Sequence, residues 1–189
     1  MKLIRNIRLK IGRYLLAARL KRHGRKPFFS GMSKIRTAGL VWDASRPEDF
    51  QVLTRFHQQM KERNIEVRIL GYFPGKVLPD KYTAIRYLTC LKDHDLDFFY
   101  RPNSAEAVAF IDERLDLMID ANFNKLFPLY YISSLSSAGL KAGPADTDPE
   151  LSPFDLMIKI KSQEKIEDYL NQVIHYLEMM SKEPEKTSI

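Results

Sequence analysis

Ala38-Gly39-Leu40-Val41-Trp42 opens the stretch that decides the fold, and Glu66-Val67-Arg68-Ile69-Leu70-Gly71-Tyr72 closes it. Both are short apolar runs of the kind buried on both faces of a parallel sheet. Between them Phe50, Leu53, Phe56 and Met60 recur at helical spacing. Ser45, with Glu48 three residues on, reads as a capping box, and Pro47 stands in the first turn. Asn64 ends the helical pattern. Strand, helix and strand in this order make one βαβ unit, whose crossover sets the two strands parallel.

The rest of the chain extends this unit. Residues 83–91 fit a strand or a short helix, and residues 96–100 read as a strand. A helix over 104–114, capped by Asn103 or Ser104, leads into a strand over 115–120. A helix over 128–138 and a strand over 139–143 follow, and residues 154–160 read as the last strand. Residues 165–180 form an amphipathic helix on Ile166, Tyr169, Leu170, Val173, Ile174 and Leu177. The expected fold is α/β: a single Rossmann-like domain over 37–180, its sheet mostly parallel with helices on both faces. A basic helical arm and linker (1–36) precede it and a polar tail (181–189) follows. With the core beginning at Thr37, the arm is expected to be removable.

Charge is distributed unevenly. Residues 1–36 hold twelve of the thirty Lys and Arg and no acid, leaving eighteen basic residues against all twenty-four acids in the remainder, a net of −6 there. A mildly acidic body with a basic arm points to a polyanionic partner. Within the arm, Leu3, Ile4, Ile7, Ile11, Tyr14, Leu15 and Ala18 fall on one helical stripe, with Leu9, Leu16 and Leu20 among the cations of the remaining arc. Gly24 follows the basic turn Lys21-Arg22-His23, which suits a helix end.

Several chemistries are disfavoured. No apolar run approaches the roughly 20 residues of a membrane span, and Met1-Lys2-Leu3-Ile4-Arg5 does not resemble a secretory signal. The expected location is cytoplasmic, including the periphery of the inner membrane. Cys90 is the sole cysteine and sits among apolar residues, as a buried structural thiol does. His23, His57, His94 and His175 show no metal-binding spacing, so no metal is expected. Ser133, Ser134, Ser136 and Ser137 lack a nucleophile-elbow context and fit a helix packed closely on the sheet. The first βα turn, Asp43-Ala44-Ser45-Arg46-Pro47-Glu48-Asp49, has three acids and no Gly, so it would repel a pyrophosphate, and no cofactor is expected.

Asp116-Leu117-Met118-Ile119-Asp120, the stretch from Pro128 to Gly143, Phe154-Asp155-Leu156-Met157-Ile158 and Asp97-Phe98-Phe99 together resemble an uncharacterised family of small Bacteroidota proteins, the domain of unknown function 6913. The resemblance spans residues 35–180 and implies no activity. A strand ending in Ile-Asp, then a helix and a strand reaching a Gly, is also similar to the amino-terminal lobe of heptosyltransferase-type glycosyltransferases. That implies fold kinship only, since the nucleotide-sugar lobe would need a second domain.

Ligands of open α/β sheets bind beyond the carboxyl ends of the strands. Asp43, Ser45, Tyr72, Asp120, Asn122, Lys141 and Gly143 are expected there, with Asp43, Ser45, Asp120 and Asn122 as the candidate ligand site. Asp43 and Asp120 could pair to hold a hard cation or exchange protons, or each could cap the element that follows. The arm carries the stronger signal: Lys2, Arg5, Arg8, Lys10, Arg13, Arg19, Lys21, Arg22, Arg25 and Lys26 are the candidate polyanion-binding residues. On RNA they would contact phosphates while Tyr14, Phe28 and Phe29 stacked on bases. On a membrane the apolar stripe would enter the lipid boundary. A third arrangement docks the stripe on the protein's own acidic domain. The expected function is non-catalytic binding to RNA, as a component or associated factor of a ribosome or other ribonucleoprotein. The alternatives are a peripheral membrane or membrane-complex subunit and a small enzyme using the strand-end carboxylates, and other protein subunits are candidate partners.

Overall fold

The computed structural model describes residues 2–28, 31–75, 77–145, 152–160 and 165–182. The elements run α1 (Lys2–Leu20), β1 (Thr37–Asp43), α2 (Phe50–Glu62), β2 (Glu66–Tyr72), β3 (Leu88–Leu91), α3 (Ala105–Asp112), β4 (Leu117–Ala121), α4 (Phe127–Leu135), β5 (Leu140–Pro144), β6 (Leu156–Ile158) and α5 (Ile166–Lys182). The sheet has the order β3-β2-β1-β4-β5-β6, and every neighbouring pair is parallel. This is the doubly wound arrangement, with its switch point between β1 and β4.

Strand alternation sends residues to two separate cores. Leu40, Trp42, Ile69, Ile119 and Ala142 meet α2 and α5 on one face. Val41, Leu70 and Met118 meet α3 and α4 on the other, together with Leu16 of α1. α4 is buried at eight of its nine residues because the sheet lies beneath it and α1 packs over it. An apolar run with no polar face therefore folds as a fully enclosed helix.

Three local expectations are corrected. Ser45 does not cap a helix: its hydroxyl donates to Asp43 Oδ1 at 2.6 Å, the chain makes a 3-10 turn over Pro47–Asp49, and α2 begins at Phe50. Residues 96–100 form no strand, because Asp97 folds the segment on itself. Its carboxylate accepts from the amides of Phe99 and Arg101 and from the Arg101 side chain, and Tyr100 turns at φ 61°. The last strand shortens to Leu156–Ile158. Asn64, at φ 58°, ends α2 as the sequence indicates.

Residues 1–36 are built into the body rather than appended to it. Leu16 is buried in one core, and Met32 and Ile35 in the other. The Phe28 amide donates to Gly139 O at 2.8 Å. Ser33 N donates to Ser181 Oγ of α5. The expectation of a removable arm took the first strand as the edge of the core. The core in fact draws on apolar residues before it.

Candidate functional site

α1 meets the body through Leu9, Gly12, Leu16 and Leu20, an i, i+3, i+7, i+11 face. Gly12 allows the contact: a Cβ there would stand 2.3 Å from Phe99 O and 3.0 Å from the Phe127 ring. Arg8 pins the amino-terminal half, donating through Nε to Phe98 O at 2.5 Å with its guanidinium 4.2 and 4.4 Å from the Phe98 and Tyr100 ring centres. Arg19 Nη1 donates to Tyr131 Oη at 3.0 Å. Below the helix, Arg25 pairs bidentately with Asp155 and donates to Ala138 O and Gly139 O.

This docking leaves the other apolar face outward. Leu3, Ile4, Ile7, Ile11 and Tyr14 are 73, 62, 49, 38 and 74% exposed. At about 100° per residue they occupy an arc centred opposite Leu9 and Leu16. Lys10 borders the arc on one side and Arg8 and Arg19 on the other, about 70–110° from its centre. Arg5, Lys10, Arg13, Lys21, Arg22 and Lys26 are exposed. The arrangement that docks the stripe on the body is therefore not the one adopted; the weaker apolar face docks. Of the cations read as one polyanion-binding set, Arg8, Arg19 and Arg25 hold the arm to the body, whereas the six just named face solvent. Lys2 begins α1, its side chain and Phe29 lie outside the described residues, and Phe28 is 61% exposed.

The strand ends bring Asp43, Ser45 and Asn122 to the β1–β4 switch point, but their polar atoms are used there. Asp43 Oδ1 accepts from Ser45 N (3.0 Å) and Ser45 Oγ (2.6 Å), and Oδ2 accepts from Asn124 Nδ2 (2.7 Å). Asn122 closes its loop through Leu126, donating to its carbonyl and accepting from its amide. Asp120 lies on the same sheet face, paired across from Val41. It is 2% exposed and accepts from Asn122 N at 2.7 Å. The Ser133 hydroxyl stands beside this carboxyl but short of hydrogen-bond geometry, so only the amide counts as a bonded partner. Burial without a cation pushes the Asp120 carboxyl up to about 6, against these two groups. In the first βα turn, Asp49 pairs with Arg46, and its burial still raises it. Among the described residues no group of three or more His, Cys, Asp and Glu is placed to hold a metal ion.

The family of unknown function DUF6913 matches residues 8–180. The chain belongs to this family. The DUF6913 match begins inside α1, so most of the arm lies within the region that defines the family. No curated protein and no solved structure matches this DUF6913 chain.

Two features of the DUF6913 chain escape a reading of its sequence. α1 carries apolar residues on two faces, and the richer stripe draws the eye to the wrong one. Gly12, a helix-interior glycine flanked by Leu9 and Leu16 at helical spacing, is the signal for close packing there. Lys141 was expected at a strand's carboxyl end but is the second residue of β5, paired with Met118 and 2% exposed. A lysine inside a strand that the fold buries on both faces is the corresponding signal. Cys90 is half-buried and its thiol is pushed up to about 12 by burial, which suits a structural role.

Proposed function

We propose that the protein is a non-catalytic peripheral membrane protein whose α1 lies on an anionic lipid surface, its Leu3/Ile4/Ile7/Ile11/Tyr14 stripe at the acyl boundary. The observation carrying this reading is that the richest apolar stripe of the arm faces outward while the opposite face docks on the body. RNA contact would use the cations and give no reason to expose four large aliphatic side chains in a row. An interfacial helix uses both, apolar residues in the acyl boundary and Lys or Arg at its margins.

The magnitudes support attachment. Each aliphatic side chain entering hydrocarbon contributes roughly 1.5–3 kcal/mol, and each cation near an anionic surface about 1 kcal/mol. The four aliphatic groups of the stripe, with the exposed Lys10 at its margin, together exceed what a single acyl anchor supplies. The acidic body, net −6 beyond residue 36, is repelled from the same surface, so the arm sets the orientation. Among the described residues no helix is long and apolar enough to cross a membrane, so attachment would be at the surface.

Co-sedimentation with vesicles of 30% anionic lipid tests this. The full chain should pellet with them and not with neutral vesicles. The double variant Ile4→Ser, Ile7→Ser should release it by at least tenfold with every cation retained, because both positions are exposed and neither supports the fold. If that variant binds vesicles as well as wild type does, the stripe is not the anchor and the reading fails; if structured RNA is bound tightly and vesicles are not, the arm is an RNA-binding element instead.

A further inference from the structure

A cavity of about 310 Å³ lies where the carboxyl end of α1 crosses α4 and β5, and Lys141 lines it with Ser134, His23 and Tyr130. Lys141 donates from Nζ to Ser134 O at 2.8 Å, and among the described residues its other two N–H groups meet no acceptor. Asp155, a carboxylate that acts on Lys141, is engaged by Arg25 through both oxygens and also accepts from the Lys141 amide. Among the described residues, Lys141 is therefore a buried amine that shares its carboxylate, Asp155, with Arg25. Two further polar atoms on this cavity, Ser134 Oγ and His23 Nε2, are buried and have no hydrogen-bond partner. Ser134 itself is 2% exposed.

Buried polar groups left unsatisfied are costly, and two of them beside an amine with spare donors, all on residues lining one cavity, mark a place where a ligand would supply acceptors. We propose that this cavity binds a small oxyanion, a carboxylate or phosphate, through the Lys141 ammonium with the Ser134 hydroxyl and the His23 imidazole. An anion here completes the charge balance that Asp155, paired with Arg25, does not. Burial, and the Arg25 charge beside it, bring the Lys141 amine down to about 7 in the free protein, with Asp155 opposing. A bound anion would favour the ammonium, so binding should take up protons above neutral pH. The site is separate from the outward face of α1 and stands or falls independently of the membrane reading.

Thermal unfolding of the full chain, followed at constant ionic strength set with chloride, tests the site using inorganic phosphate and malonate as probes. At least one should raise the Tm saturably in wild type. Lys141→Met should weaken that binding at least tenfold and Ser134→Ala several-fold. Lys141→Met removes a charge whose burial opposes folding, so it should fold, and Ser134→Ala keeps the test open if it does not. Lys10→Gln with Arg13→Gln should leave the saturable shift intact, which separates the cavity from diffuse binding to the arm. The proposal is overturned if neither anion shifts wild type beyond chloride, if Ser134→Ala and any folded Lys141→Met bind as wild type does, or if only the arm variant loses the shift.

Discussion

At Asp43 and Asp120, two carboxylates on the same sheet face meet opposite fates. Asp43 has three donors on its two oxygens, so Asp43→Asn forfeits charge-assisted bonds and should cost about 1–2 kcal/mol. Asp120 is buried with no cation, and its carboxyl is held at about 6 against an ordinary value of 3.8. Below about pH 3 the group is protonated folded or unfolded and has no effect. As pH rises through the window from about 4 to 6 the unfolded chain ionises first, and stability falls by roughly 3 kcal/mol in all. Asp120→Asn keeps an acceptor for the Asn122 amide and removes the charge. Chemical denaturation at about pH 3 and about pH 7 should show the variant equal to wild type at the first and more stable at the second. Equal stability at both would mean that the Asp120 carboxylate is compensated in the fold. The sequence showed both residues at strand ends but not this difference: both are 2% exposed, and the three donors that reach Asp43, against the one that reaches Asp120, are set by loop conformation and by Asn124, distant in sequence.

The βαβ unit and α5 were legible because local periodicity sets them, and the start of α3 because Ser104 caps it. The 96–100 segment was not, since its apolar residues resemble a strand while Asp97 satisfies the local amides and bends the chain. α1 is the instructive case. Its helical character was plain, its docked face was not, because which of two apolar faces docks depends on where Gly12 fits against Phe99 and Phe127. α4 depends on that docking, since its outer surface is covered by α1. Removing residues 1–28 should therefore expose α4, delete the Arg25–Asp155 pair and lower Tm by more than 10 °C or leave an aggregating chain, as scanning calorimetry would show. A truncated protein that melts like the full chain would show that α1 contributes nothing to the body.

Taken whole, the molecule is an acidic doubly wound domain with one strongly basic side that also presents bulky aliphatic groups. Parallel sheets of this order commonly bind ligands at the β1–β4 switch, but here Asp43, Asn122 and the Asp49–Arg46 pair occupy that place with their own contacts. The proposed function lies instead at the periphery, on the outer face of α1. Tyr14, 74% exposed at the centre of that face, offers the most direct view of what α1 meets. Trp42 is wholly buried and Tyr14→Trp adds a second emitter at the surface, so subtracting the wild-type spectrum isolates position 14. With anionic vesicles containing brominated lipid, the Trp at position 14 should shift to the blue and be quenched most by bromines placed about 5–10 Å below the headgroups. An unshifted, unquenched emission under vesicle-saturating conditions would contradict membrane attachment through α1.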